Sequence, residues 1–128
     1  MNEHTLIGNL TRDPQIHVAK TSGRFVARFD LAINHRRYDR NTDQWVDSEP
    51  VFKAIVAYGP LAENIGESLR RGVEAVVVGR EVDDSYEHDG ETRRRTVIEA
   101  EVVASSLRWA LARPMKVDRR PTGDEPAE

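Results

Sequence analysis

Five aromatic residues in this chain stand beside cations or polar residues rather than inside apolar runs. Phe52 is followed by Lys53, and Tyr58 lies six residues further on. On a strand that spacing puts both rings on one face. Tyr38 sits among Arg36, Arg37 and Arg40, with Trp45 later in the same polar stretch. Tyr86 precedes a turn, and Arg93-Arg94-Arg95 follows it. Rings interleaved with cations suit a single-stranded nucleic acid. Each base offers a π-face worth about 1–3 kcal/mol when stacked, and the phosphates need positive charge alongside. Blander readings compete: core packing for Phe52 and Tyr58, a loop anchor for Tyr38 and Trp45, and a solvated hairpin arm for the three arginines. Phe25 and Phe29 lie in an apolar alternation and read as core.

Other chemistries lack their residues. The chain has no cysteine, which excludes disulfides, thiol catalysis and cysteine-bound zinc. No nucleophile-elbow, phosphate-loop or dinucleotide motif occurs. His4, His17, His35 and His88 sit on separate elements without ligand-spaced partners, so no metal site is expected. Asp83 and Asp84 are adjacent, and neighbours on a strand point to opposite faces. They read as solvated charge, not as an acid/base pair. Neither an enzyme nor a cofactor is expected.

The elements that would position the rings follow from periodicity. Thr5–Thr11 begins a strand that continues past Asp13-Pro14 into Gln15–Val18, and Thr21-Ser22-Gly23 is a turn. Phe25, Ala27, Phe29, Leu31 and Ile33 alternate at period two, as on a half-buried strand. His35–Glu49 reads as a long loop or mobile hairpin, and Val51–Tyr58 as the third strand. Gly59-Pro60 then switches the period, with Pro60 suited to the first helical position. Leu61, Ile65 and Leu69 form one apolar stripe, which predicts a helix over Pro60–Arg71 ended by Gly72. Val73–Tyr86 is the fourth strand, Asp89-Gly90 a hairpin turn, and Arg93–Val103 the return strand. This order predicts an all-β, five-stranded OB-fold barrel with one α-helix between strands 3 and 4.

Five segments also resemble the bacterial single-stranded DNA-binding protein family, in its order and spacing over about residues 1–110. They are Leu6-Ile7-Gly8-Asn9-Leu10-Thr11-Arg12-Asp13-Pro14, Phe29-Asp30-Leu31-Ala32, Tyr58-Gly59-Pro60-Leu61-Ala62-Glu63-Asn64, Leu69-Arg70-Arg71-Gly72 and Val76-Val77-Val78-Gly79-Arg80. The resemblance implies an OB fold, a homotetramer and single-stranded DNA bound without sequence preference, in DNA replication, recombination or repair. The family's stacking aromatics fall on Phe52, Tyr58, Tyr86 and, in the loop after strand two, on or next to Tyr38. Trp45 has no firm counterpart but belongs to the same candidate set. Phosphate contacts are assigned to Arg12, Lys20, Arg28, Arg36, Arg37, Arg40, Lys53, Arg80, Arg93, Arg94 and Arg95. Where the family commonly carries basic residues, this chain has Ala54, Pro60 and Asp83-Asp84-Ser85. The family's major members also end in an acidic tail tipped by Ile-Pro-Phe, whereas this chain ends Gly123-Asp124-Glu125-Pro126-Ala127-Glu128. It therefore resembles the tail-less, accessory paralogs, without tail-mediated recruitment of replication or repair proteins.

Composition fits one domain of 128 residues with net charge −3. That balance argues against a binder of duplex DNA or membrane by bulk charge. The N-terminus lacks signal-peptide features and no apolar run is long enough to span a bilayer, so a cytoplasmic setting is expected, and the family resemblance implies association with the nucleoid. Residues 1–112 read as the domain and 113–128 as a disordered polar tail. In the tail Arg113, Lys116, Arg119 and Arg120 balance Asp118, Asp124, Glu125 and Glu128, so the domain carries the whole −3. The alternative reading is an OB-fold interaction or regulatory module. In it Asp83, Asp84, Glu87, Asp89 and Glu91 turn a former DNA face toward protein.

Overall fold

The computed structural model describes residues 3–118 except His35. Arg119–Glu128 of the expected tail, and the His35 weighed as a metal ligand, lie outside the described residues. Among the described residues, ten strands and one helix run in the order β1 (Glu3–Leu10), β2 (Gln15–Val18), β3 (Phe25–Ile33), β4 (Arg36–Asp39), β5 (Gln44–Asp47), β6 (Val51–Tyr58), α1 (Pro60–Ser68), β7 (Glu74–Asp83), β8 (Tyr86–His88), β9 (Glu91–Arg93) and β10 (Thr96–Ser105).

Five of these strands close on themselves. The sheet order is β1-β7-β10-β6-β3, and β1 then pairs β3. All of those pairings are antiparallel except β10 with β6, which is parallel. Closure removes the exposed edges of these strands, and with the helix between β6 and β7 it gives the five-stranded OB barrel. β2 extends the sheet beyond β3. The break at Asp13-Pro14 separates β1 from β2, where one bent strand was expected. β1 itself leaves β7 for β3 at Asn9 and Leu10. Gly8 sits at that crossing, and a Cβ there would lie 2.7 Å from the Ala32 carbonyl oxygen. Only glycine lets the two strands approach so closely.

The period-two pattern of β3 fills the barrel. Ala27, Phe29 and Leu31 join Leu10, Ile55, Ala57, Ala75, Val77 and Ile98 in the buried core, with Phe25 packed against it. Of the apolar stripe, Ile65 and Leu69 are buried in the same core and Leu61 packs against it, with Ala62 buried beside them. The helix stops at Ser68 rather than Arg71, and Leu69 is already extended. The reason lies in β1. Leu10 accepts from the Gly72 N–H at 2.8 Å and donates to the Val73 carbonyl at 3.0 Å, so the chain must leave the helix early. Arg70 donates to the Gly66 and Leu69 carbonyls at 2.7 Å, satisfying acceptors that the helix end leaves unpaired.

Two arms stand off the barrel. The stretch read as a loop or hairpin is the β4–β5 hairpin. The fourth strand ends at Asp83 rather than Tyr86, and the return strand starts at Thr96 rather than Arg93. Between them β8 and β9 form a separate two-stranded arm, with positive φ at Asp89 and Gly90 as a two-residue I′ turn demands. The break falls where the Asp84 side chain turns back to two arginines. No helix among the described residues is long and apolar enough to cross a membrane.

Candidate nucleic-acid interface

Alternation along β6 sends Ile55 and Ala57 into the barrel and Phe52, Ala54, Val56 and Tyr58 outward. The outward set does not lie bare. Val26, Val56 and Val97 form a second, smaller buried cluster, with Ala54, Tyr58 and Val82 packed against it. This apolar floor spans β3, β6, β10 and β7 on the outside of the barrel.

Of the aromatic candidates, Tyr58 packs against that floor and Phe52 shares its face of β6. Phe52 is 62% exposed, which excludes core packing for it. It lines a shallow groove with Lys53, Ala54, Arg95 and Val97. Tyr58, at the other end of β6, is half-buried against the floor, and the Arg24 guanidinium lies 4.9 Å from its ring centre. Tyr86 is exposed at the start of β8, with the Arg95 guanidinium 4.9 Å from its ring centre. Tyr38 and Trp45 face each other across the β4–β5 hairpin, ring centres 5.6 Å apart and edge to face at 70°. Trp45 remains 60% exposed. Each is therefore the other's support, which replaces the loop-anchor reading. An Asx turn shapes the tip of this hairpin: Asp39 accepts the Asn41 N–H at 2.9 Å, and Asp43 takes positive φ.

The cations divide into three groups. Arg28 and Arg95 converge on Asp84. Arg95 donates through Nη2 at 2.9 Å and Nε at 3.1 Å, and Arg28 through Nη1 at 3.4 Å, all to Oδ2. Asp84 is thus half-buried and paired, not the solvated charge expected from its adjacency to Asp83. A second group makes looser surface pairs: Arg36 with Asp47 at 3.5 Å and Arg93 with Glu91 at 3.8 Å. Exposed pairs of this kind hold little energy, so both side chains remain available. Arg93 is also the cross-strand partner of Tyr86. In the third group, Arg12, Lys20, Arg40 and Arg94 are exposed in loops and bends, and Lys53 is half-buried. Arg80 is exposed and shares its face of β7 with Val78 and with Val82 of the floor. Arg37 pairs Val46 in the hairpin ladder, and its side chain lies outside the described residues.

Two relevant residues escaped the sequence reading. Arg24 covers Tyr58, a contact that the Tyr58-to-Val26 pairing brings about and the linear order hides. Trp109 is exposed beyond β10, beside Arg108 at 5.7 Å. The period-two run Leu107, Trp109, Leu111 was the signal available for it. Among the described residues no cluster of His, Asp and Glu could hold a metal ion.

An OB barrel with an apolar outer floor, ringed by aromatics and arginines, defines a class of oligomer-binding barrels. Comparison with known proteins narrows it. Residues 1–106 match the profile of the single-strand binding protein family. The single-stranded DNA-binding protein of Mycobacterium tuberculosis is 43% identical over 118 residues, covering 90% of this chain and 70% of that one. Single-stranded DNA-binding protein 2 of Streptomyces coelicolor is 40% identical over 121 residues, covering 93% and 60%. Among solved structures, a small single-stranded DNA-binding protein from Streptomyces coelicolor superposes with a TM-score of 0.67 at 28% identity, covering 82% of this chain and 94% of that one. The chain belongs to the single-strand binding protein family.

Proposed function

We infer that this protein binds single-stranded DNA without sequence preference, by stacking bases on exposed rings and pairing phosphates with arginines. One observation carries the reading. Arg95 lines the Phe52 groove and also covers Tyr86, so one cation links two exposed rings along the outer floor. A strand laid from Phe52 to Tyr86 meets rings for its bases and guanidinium for its backbone. Tyr58, Tyr38 and Trp45 extend the stacking set. Arg12, Lys20, Arg28, Arg36, Arg37, Arg40, Lys53, Arg80, Arg93 and Arg94 supply further positive charge. The work is binding, not catalysis. Its occasion is DNA replication, recombination or repair, as an accessory to a tighter binder, since Asp84 already occupies two of the arginines.

The protein acts in this reading as a homotetramer. Ile7, Val76, Val78 and Val102 put an apolar patch on the outer face of β1, β7 and β10, and Leu107, Trp109 and Leu111 continue it with exposed side chains. A patch of this kind on a repeated chain suits symmetric, self-complementary contacts. The interaction-module alternative is left with four of its five acids, because Asp84 is paired with Arg28 and Arg95.

A gel-shift competition tests the reading. Labelled oligo-dT should be retarded by the protein and released by unlabelled oligo-dT, but not by an equal mass of duplex. Release by duplex, or no retardation at low salt, would contradict it.

A further inference from the structure

A single carboxylate oxygen, Oδ2 of Asp84, receives three N–H groups from two arginines. The three residues come from distant parts of the chain. Arg28 is on β3, Asp84 follows β7, and Arg95 precedes β10. The backbone also ties the acid to its partner, since the Asp84 N–H donates to the Arg95 carbonyl at 2.9 Å. A phosphate oxygen asks for the same donors that Asp84 now holds. Arginine binds both oxyanions through the same planar fork. Both guanidinium side chains remain open to solvent, at 36% and 48% exposure, while the carboxylate is less exposed at 27%. A phosphate can therefore reach the arginines from outside. It cannot share their donors with a like charge at the same spot.

Resting on the DNA-binding reading above, we propose that Asp84 is a tethered counter-anion, holding Arg28 and Arg95 until a backbone phosphate displaces it. The triad then carries one net positive charge instead of two. Displacement exchanges one anion for another, so fewer solution counterions are released when DNA binds. Asp84 thereby sets both the affinity and the salt dependence of this part of the interface. Asp83 is its internal contrast. It carries the same charge one residue away, but it accepts a hydrogen bond from the Ser85 hydroxyl, at 3.1 Å, and not from either arginine.

The test is a set of oligo-dT titrations at three salt concentrations. The full-length proteins are wild type, Asp84→Asn, Asp84→Ser and Asp83→Asn, each checked by thermal melting. Both Asp84 variants should bind at least about threefold more tightly at low salt. Their log–log salt slope should steepen by about 0.7, the value of one single-strand phosphate contact. Asp83→Asn should stay within about twofold of wild type, because it frees no arginine. The serine variant keeps the test open should the asparagine variant fold poorly. Weaker or unchanged binding by the Asp84 variants overturns the proposal and makes Asp84 a residue that merely positions its arginines. An equal gain from Asp83→Asn also overturns it, since general surface charge then suffices. Absence of binding by wild type and every variant alike defeats the DNA-binding reading itself.

Discussion

The Arg95 guanidinium lies 4.9 Å from the centre of the Tyr86 ring, close enough for a cation–π contact at an exposed site. One face of Tyr86 is thereby held by a cation that is itself anchored on Asp84. The ring is pre-positioned on an arm that otherwise has little packing. Tyr86→Ala should weaken oligo-dT binding by about 1–3 kcal/mol, the value of one stacked base. The salt slope should change little, because no charge is removed. Titration at three salt concentrations checks both numbers, and a large change in slope with small loss of affinity would assign Tyr86 to the arginine cluster instead.

Assembly is tested by mass. In the apolar patch on β1, β7 and β10, Ile7 and Val102 are exposed and Val76 and Val78 half-buried, which a lone domain would leave facing water. Light scattering at micromolar concentration should give a mass near four chains of 14.5 kDa. A mass near one chain contradicts the tetramer.

The chain beyond the barrel makes a third prediction. Arg113–Asp118 has no regular structure and is exposed throughout. Truncation after Ala112 should leave melting temperature and DNA affinity nearly unchanged. A change in affinity above about threefold, or roughly 0.65 kcal/mol, would give the tail a role in binding.

Glu74 at the start of β7 is only 8% exposed and faces Arg108, with Nη2 to Oε2 at 2.7 Å and Nε to Oε1 at 3.1 Å. Hydrogen bonds from Arg108 and then Ser106 hold its carboxyl down to about 2 from the ordinary 4.5, outweighing burial. A depressed carboxylate stabilises the fold above the unfolded pKa and ceases to do so as pH falls through the folded one. Glu74→Gln should therefore melt several degrees lower than wild type at neutral pH. The difference should shrink as pH falls from 4.5 toward 2. Melting curves across that window check it, and a constant difference down to the lowest pH would show that the ion pair is not its source.

The barrel was legible because its signals are local and repeated. The alternation from Phe25 to Ile33, the Gly59-Pro60 switch and the Asp89-Gly90 turn each fix an element within a few residues. Helix and strand ends were less legible where distant backbone decides them. Leu10 holds Gly72 and Val73 beside β1, so Leu69-Arg70-Arg71 leave the helix early, and no property of those three residues announces that. The site divided in the same way. Exposed rings beside cations could be read from Phe52-Lys53 and from Tyr38 among its arginines. The pairing of Asp84 with Arg28, 56 residues away in sequence, could not. It depends on a register in which β3, β7 and β10 meet around one carboxylate, so the acid looked solvated until the fold placed it. Arg24 over Tyr58 was hidden for the same reason.

The most direct measurement is titration of the full-length protein with oligo-dT at low salt, followed by intrinsic tryptophan fluorescence. Trp45 is 60% exposed beside Tyr38 on the β4–β5 hairpin, while Trp109 lies beyond β10. Wild type should show saturable quenching as bases stack near Trp45. Trp45→Phe should lose most of the quench while still retarding oligo-dT in a gel. Fluorescence that does not respond to oligo-dT, together with no retardation in the gel, would contradict single-stranded DNA binding on this face.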